Sequence, residues 1–146
     1  MPYYYSGPPN IQKREHARKL LSEHNFEAAL KILAGSAYGA GYDHDYFELM
    51  GMALLGCGHY KNAGRFLFLS GQRKSEYEKA IVLFLSCNHD PNNFRQLHSQ
   101  FPKRVKTMWK ISKFPKQVYK ELKKLGFPEN IQQYFIQRNN SRSKGI

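Results

Sequence analysis

Apolar residues fall on helical stripes through most of the chain. Between Tyr46 and Gly71 the run YFELMGMALLGCGHYKNAGRFLFLSG sets Phe47, Met50 and Leu54 on one stripe, breaks at Gly58, and resumes with Tyr60, Ala63 and Leu67. The spacing predicts two amphipathic helices joined by a glycine turn. Gly51 and Ala63 are the small residues at which a neighbouring helix can approach. Phe26, Ala29 and Leu33 precede Tyr60, Ala63 and Leu67 by the same interval at which Phe94, Leu97 and Phe101 follow them. That interval, about 34 residues, is the length of a repeated helix pair.

The flanking signals place the other elements. Pro8, Pro9 and Asn10 make a stop and N-cap ahead of Ile11, so a first helix runs to about His24 and its partner from Phe26 to about Ser36. The stretch Gly35 to Asp45, GSAYGAGYDHD with Tyr38 and Tyr42, reads as an exposed, flexible loop. Ser75 to His89 opens with the capping-box form of Ser75 and Glu78 and, as the most apolar helix, is expected to be the most buried. Asp90 and Pro91 start the next helix, which Pro102 ends or kinks. Helical pattern continues on both sides of Pro115, with Val105, Met108 and Trp109 on one face before it and Val118, Leu122 and Leu125 on one face after it. Gly126 is a C-terminal cap, and Pro128 opens a last helix that buries Ile131, Tyr134 and Phe135. The domain reading is an extended segment over 1–9, one helical-repeat domain over 10–138 and a flexible basic tail over 139–146.

Phe47, Met50, Gly51, Leu54, Gly58, Tyr60, Ala63 and Leu67 together resemble the tetratricopeptide repeat. Ala17, Leu20, Phe26, Ala29 and Leu33 match it in a first unit, Phe84, Phe94, Leu97 and Phe101 in a third, and Val118, Leu122, Gly126, Ile131 and Phe135 in a fourth. His16, Leu85 and Pro128 depart from the pattern. The resemblance implies an all-α fold of antiparallel helical hairpins stacked in a short array of three to four units. The stretch AGRFLFL, Ala63 to Leu69, is also similar to the AGRxWxL signature of a small bacterial family of uncharacterised function.

Composition adds a partner class. The 146 residues carry a net charge of +12, and the charge is uneven: residues 1–50 sum to −1, residues 51–100 to +3 and residues 101–146 to +10. Such asymmetry points to a polyanionic partner: nucleic acid, an acidic protein surface or anionic lipid headgroups. No basic segment followed by an apolar run opens the chain, and no apolar stretch is long enough to span a membrane. Cys57 and Cys87 lie far apart in sequence without a CxxC partner, which predicts reduced core thiols in a cytoplasmic protein.

Lys113, Lys116, Lys120, Lys123 and Lys124 fall at i, i+3, i+7, i+10 and i+11, which predicts one cationic stripe. The plain alternative is a solvated face that keeps a small protein soluble. Like charges so spaced repel by a few tenths of a kcal/mol per pair, and between Lys103 and Lys124 only Glu121 relieves them. Stability does not ask for that arrangement; a docking role does. The repeat resemblance implies a ligand groove lined by the first helix of each pair, bringing Arg14, Arg18 and Lys79 to the same surface as the stripe. Leu49 and Leu83 stand where a carboxylate clamp has polar or basic residues, so the resemblance implies a broad basic groove rather than a full clamp.

The expected partner is therefore an acidic protein surface or segment, with the chain a non-catalytic adaptor, inhibitor or immunity protein. Trp109, Phe114, Tyr119 and Phe127 interleave with the lysines, and base stacking beside phosphate neutralisation makes RNA or DNA the alternative partner. Core packing is the plain reading of those aromatics, with Tyr119 the one expected at the surface. There is no RNP strand, GxxG loop or zinc-finger spacing. Asp43, His44, Asp45, Cys57 and His59 match no metal or acid–base motif, and there is no phosphate loop or nucleophile elbow. No enzyme activity, cofactor or metal is expected, and oligomeric state is left open.

Overall fold

The computed structural model describes residues 11–35, 42–88, 90 and 93–134, and among them the chain is helical with no β-strand beyond isolated bridges. Helix α1 spans Ile11–Ser22, α2 Phe26–Ala34, α3 His44–Gly56, α4 Tyr60–Ser70 and α5 Glu78–Asn88, the last entered through a 3-10 turn at Ser75–Tyr77. Short helices α6 (Phe94–His98) and α7 (Lys103–Lys106) follow, then a 3-10 turn at Ile111–Lys113 and α8 (Lys116–Lys124). The chain divides inside α5, between Phe84 and Leu85, into two compact units. The expected N-terminal segment and basic tail, Tyr38, Pro91 and Phe135 lie outside the described residues.

In the first unit α1 packs on α2, α2 on α3 and α3 on α4, with α1 also against α3. Of the stripe residues read from the sequence, Ala17, Ala29, Leu33, Phe47, Leu54, Ala63 and Leu67 are buried, whereas Leu20, Phe26 and Met50 are half-buried and Tyr60 is exposed; on α1 it is Leu21 that joins Ala17 in the core. Gly51 admits α4 as expected, since a Cβ there would lie 2.5 Å from the Leu67 side chain. Gly64 permits a closer approach still: its Cβ would stand 2.0 Å from the Ala80 carbonyl oxygen, so α4 and α5 meet backbone to backbone. Tyr42 is not part of an exposed loop. It is half-buried, its hydroxyl donates to the Leu69 carbonyl, and its ring meets Phe47 edge-on at 5.1 Å.

The sequence period is visible in the backbone. His24 and Gly58, one period apart, both adopt the left-handed conformation, at φ of 60° and 83°, and Gly126, two periods beyond Gly58, repeats it at 92°. Each turn closes with the same backbone bond: Asn25 N–H to the Leu20 carbonyl at 2.8 Å, His59 to Leu54 at 2.9 Å, and Phe127 to Leu122 at 3.1 Å. Helix starts at Phe26, Tyr60 and Phe94 keep the same interval.

Two expectations fail at α5. Ser75 sits in a 3-10 turn rather than capping an α-helix. The helix is also not the most buried, because Val82 and Leu83 are 57% and 41% exposed beside buried Ala80, Ile81 and Phe84.

The second unit departs from long hairpins. α6 ends after five residues and α7 after four, so Met108 and Trp109 lie beyond the helix that holds buried Val105. The core is aromatic instead: Phe127 lies 5.0 Å from Phe94 and 6.1 Å from Phe101, and Phe101 lies 6.1 Å from Phe114. Backbone pairing ties the segments together, with the Ile111 N–H donating to Glu129 at 3.1 Å and the Ile131 N–H to Trp109 at 2.7 Å. The helical turn over 131–134 is capped by the Asn130 side chain accepting from the Gln133 N–H rather than opened by Pro128. Its Ile131 is buried, and Tyr134 meets the Phe94 ring edge-on at 4.9 Å.

Candidate functional site

Arg14 and Arg18 stand one turn apart on α1 and turn toward the start of α3. Asp43 caps α3 by accepting from the Tyr46 N–H at 3.1 Å. The same carboxylate accepts from both terminal nitrogens of Arg14, with Nη1 3.1 Å from Oδ1. Asp45 takes Arg18 Nη2 at 2.6 Å and Arg14 Nη1 at 3.4 Å. Arg14 is buried, its guanidinium 5.8 Å from the Tyr46 ring centre. The sequence places these arginines in a ligand groove; in the fold the Arg14 charge fastens α1 to α3.

The neighbouring groove is charge-balanced rather than basic. An open pocket of about 320 Å³ in the first unit is lined by apolar Leu21, Leu49 and Met52 and by charged Arg18, Asp45, Glu48 and Lys74. Lys74 Nζ lies 3.0 Å from Glu48 Oε2, which also accepts from the Tyr77 hydroxyl at 2.7 Å. Each cation that lines the pocket therefore faces a carboxylate of the same chain. Lys79 is exposed on α5 and belongs to the first unit, whereas the α8 lysines belong to the second.

The lysine stripe keeps its geometry over α8. Pro115 supplies the position before the helix, where its fixed φ and missing N–H cost nothing. Val118 and Leu122 are wholly buried and hold one side of the helix against the core. At 3.6 residues per turn, Lys116, Lys120, Lys123 and Lys124 occupy an arc of about 100° on the other side. Lys113 is exposed but lies in the preceding 3-10 turn, so the helix carries four of the five expected lysines.

One of the four is engaged. Gly126 turns the chain back so that Glu129 meets Lys123 Nζ at 3.1 Å and accepts from the Tyr119 hydroxyl at 2.5 Å. These bonds hold the Glu129 carboxyl below its usual range and raise Tyr119 and Lys123 above theirs. On the opposite edge Gln117 donates to Glu121 at 2.8 Å. Lys116, Lys120 and Lys124 are exposed, and among the described residues none pairs with a carboxylate.

Phe114 and Phe127 are core residues, Trp109 is half-buried with its ring 6.4 Å from that of His98, and the Tyr119 hydroxyl is bonded to Glu129. Tyr119 is partly exposed, and its bond to Glu129 lies at the surface. Cys87 is exposed rather than core, and Cys57 is half-buried. Among the described residues no three His, Cys, Asp or Glu side chains gather as a metal site, and no helix is long and apolar enough to cross a membrane. The sequence does not show the Arg14–Asp43 and Lys123–Glu129 contacts; the N-cap preference of Asp ahead of a helix is the readable clue to the first. Compared with known proteins, the chain matches no family model, no curated protein and no solved structure.

Proposed function

We propose that the chain is a non-catalytic binding module that docks an acidic protein surface through α8, acting as an adaptor or as an inhibitor that covers its partner. The observation that carries this reading is the row of Lys116, Lys120 and Lys124, exposed on a helix whose opposite side is anchored by Val118 and Leu122. Neighbouring lysines disfavour the helix slightly, and their field steers and orients a negative partner. The proposed scaffold is a short tetratricopeptide-like array of stacked hairpins, supported by the recurring left-handed turn at His24, Gly58 and Gly126.

A protein partner is favoured over nucleic acid because the aromatic side chains near the lysines are engaged inside the fold or with Glu129, which leaves little stacking platform for bases. Arg14 and Arg18 are left out of the docking surface, since Asp43 and Asp45 take their charge. The deciding experiment is capture of the partner by purified protein, with and without nuclease, against the Lys116→Glu/Lys120→Glu/Lys124→Glu variant. Capture is expected to survive nuclease and to be lost in the variant, while far-ultraviolet circular dichroism stays the same. Undiminished capture by the variant rejects the site.

A further inference from the structure

The cations on α8 are not a uniform patch. Lys116, Lys120 and Lys124 advance by four residues, so their Cα atoms rise by about 6 Å at each step and drift by only about 40° around the axis. Carboxylates bound both edges of this ridge: Glu121, held by Gln117, on one side, and Glu129, held by Tyr119 and Lys123, on the other. The exposed arc itself offers no large apolar side chain, since Val118 and Leu122 are buried.

A strand of closely spaced phosphates laid along such a ridge would press negative charge on one or both acidic edges. A partner with discrete carboxylates in a single line avoids that repulsion. An α-helix with acidic residues at i, i+4 and i+8 presents them about 6 Å apart along its axis, matching the lysine interval, and basic residues on its flanks would meet Glu121 and Glu129. Resting on the docking role proposed above, we infer that the element docked on α8 is an acidic partner helix with carboxylates at i, i+4 and i+8, aligned along α8 and bordered by cations.

Exposed ion pairs contribute little each, so register rather than strength is the signature. The probe is a synthetic helical peptide with glutamates at those positions and lysines on its flanks, compared by fluorescence anisotropy with a helical isomer of the same composition whose glutamates are spread around the helix. The phased peptide is expected to bind about tenfold more tightly at low salt, the sum of three exposed pairs. That preference should vanish in the Lys116→Glu/Lys120→Glu/Lys124→Glu variant and return when the peptide carries lysines in place of its phased glutamates. Should the variant lose its helical signal, Lys116→Gln/Lys120→Gln/Lys124→Gln serves for the loss arm.

Equal binding of the phased and spread peptides, both lost in the variant, would overturn the helical match and leave the acidic docking role standing. Binding of both that ignores the lysine substitutions would overturn the two readings together. Tighter binding of a single-stranded oligonucleotide than of the phased peptide would also overturn them, in favour of nucleic acid.

Discussion

Arg14 and Arg18 sit one turn apart on one helix and share Asp45, yet they differ in burial. Arg14 has about a tenth of its side chain accessible and a carboxylate across both terminal nitrogens; Arg18 has nearly half accessible and a single contact. Removing one partner of a buried pair strands the other charge and costs about 3 kcal/mol, whereas an exposed pair is worth less than about 1 kcal/mol. Arg14→Ala should therefore destabilise the fold by about 3 kcal/mol in urea unfolding and Arg18→Ala by under about 1 kcal/mol. Equal losses would mean that burial is not what distinguishes them. Asp43 is 29 residues from Arg14 in sequence, and a charge pattern on one helix cannot reveal a partner brought in by a loop. Lys123 is comparable: Glu129 is near in sequence, but only the left-handed turn at Gly126 carries it back alongside α8.

Elements whose apolar stripes repeat every three or four residues were legible; those whose ends are set by tertiary contacts were not. Between Ile11 and Ser70 the readable punctuation is the Asp43 cap of α3 and the left-handed turns at His24 and Gly58 that separate α1 from α2 and α3 from α4. After Phe94 the evenly spaced prolines Pro102, Pro115 and Pro128 interrupt the pattern; α8 still buries a helix face through Val118 and Leu122, but Phe94, Phe101 and Phe114 are gathered by aromatic packing around Phe101 and Phe127. Exposure of Val82 and Leu83 has a similar cause: a nearly continuous apolar run fixes that a helix forms, but which side meets a neighbour is decided by Gly64 and Ala80. That contact can be tested. Gly64→Val inserts atoms where the Ala80 carbonyl stands 2.0 Å from a Cβ, so α4 and α5 must separate, and overpacking of that kind costs about 1–3 kcal/mol. Gly58→Ala meets no atom within 4 Å but holds φ of 83°, and should cost about 1 kcal/mol through the backbone alone. Thermal unfolding of the two variants separates the causes: a second substitution, Ala80→Gly, cannot relieve the Gly64 variant, because the obstacle is backbone.

Across the whole molecule, twelve Lys or Arg against two Asp or Glu in residues 101–146 make a field that the fold itself does not need. Self-repulsion among exposed cations destabilises the compact state and is screened as salt rises, with a Debye length of about 10 Å at 0.1 M. The Arg14–Asp43 pair lies largely out of reach of that screening because it is buried. Raising sodium chloride from about 0.01 M to about 0.15 M should accordingly raise the melting temperature of the protein rather than lower it. Lys120 is the place to prove the origin, since it stands one turn from Lys116 and one from Lys124 on the same arc. Lys120→Glu turns two repulsive pairs into two attractive ones and should stabilise α8 by about 0.5–1 kcal/mol at low salt, with the gain shrinking as salt is added. The same substitution cuts the cationic ridge at its centre and should weaken capture of an acidic partner. A variant that is more stable and binds less well would show that these lysines serve recognition at the expense of folding; unchanged stability together with unchanged binding would return them to the role of a solvated face.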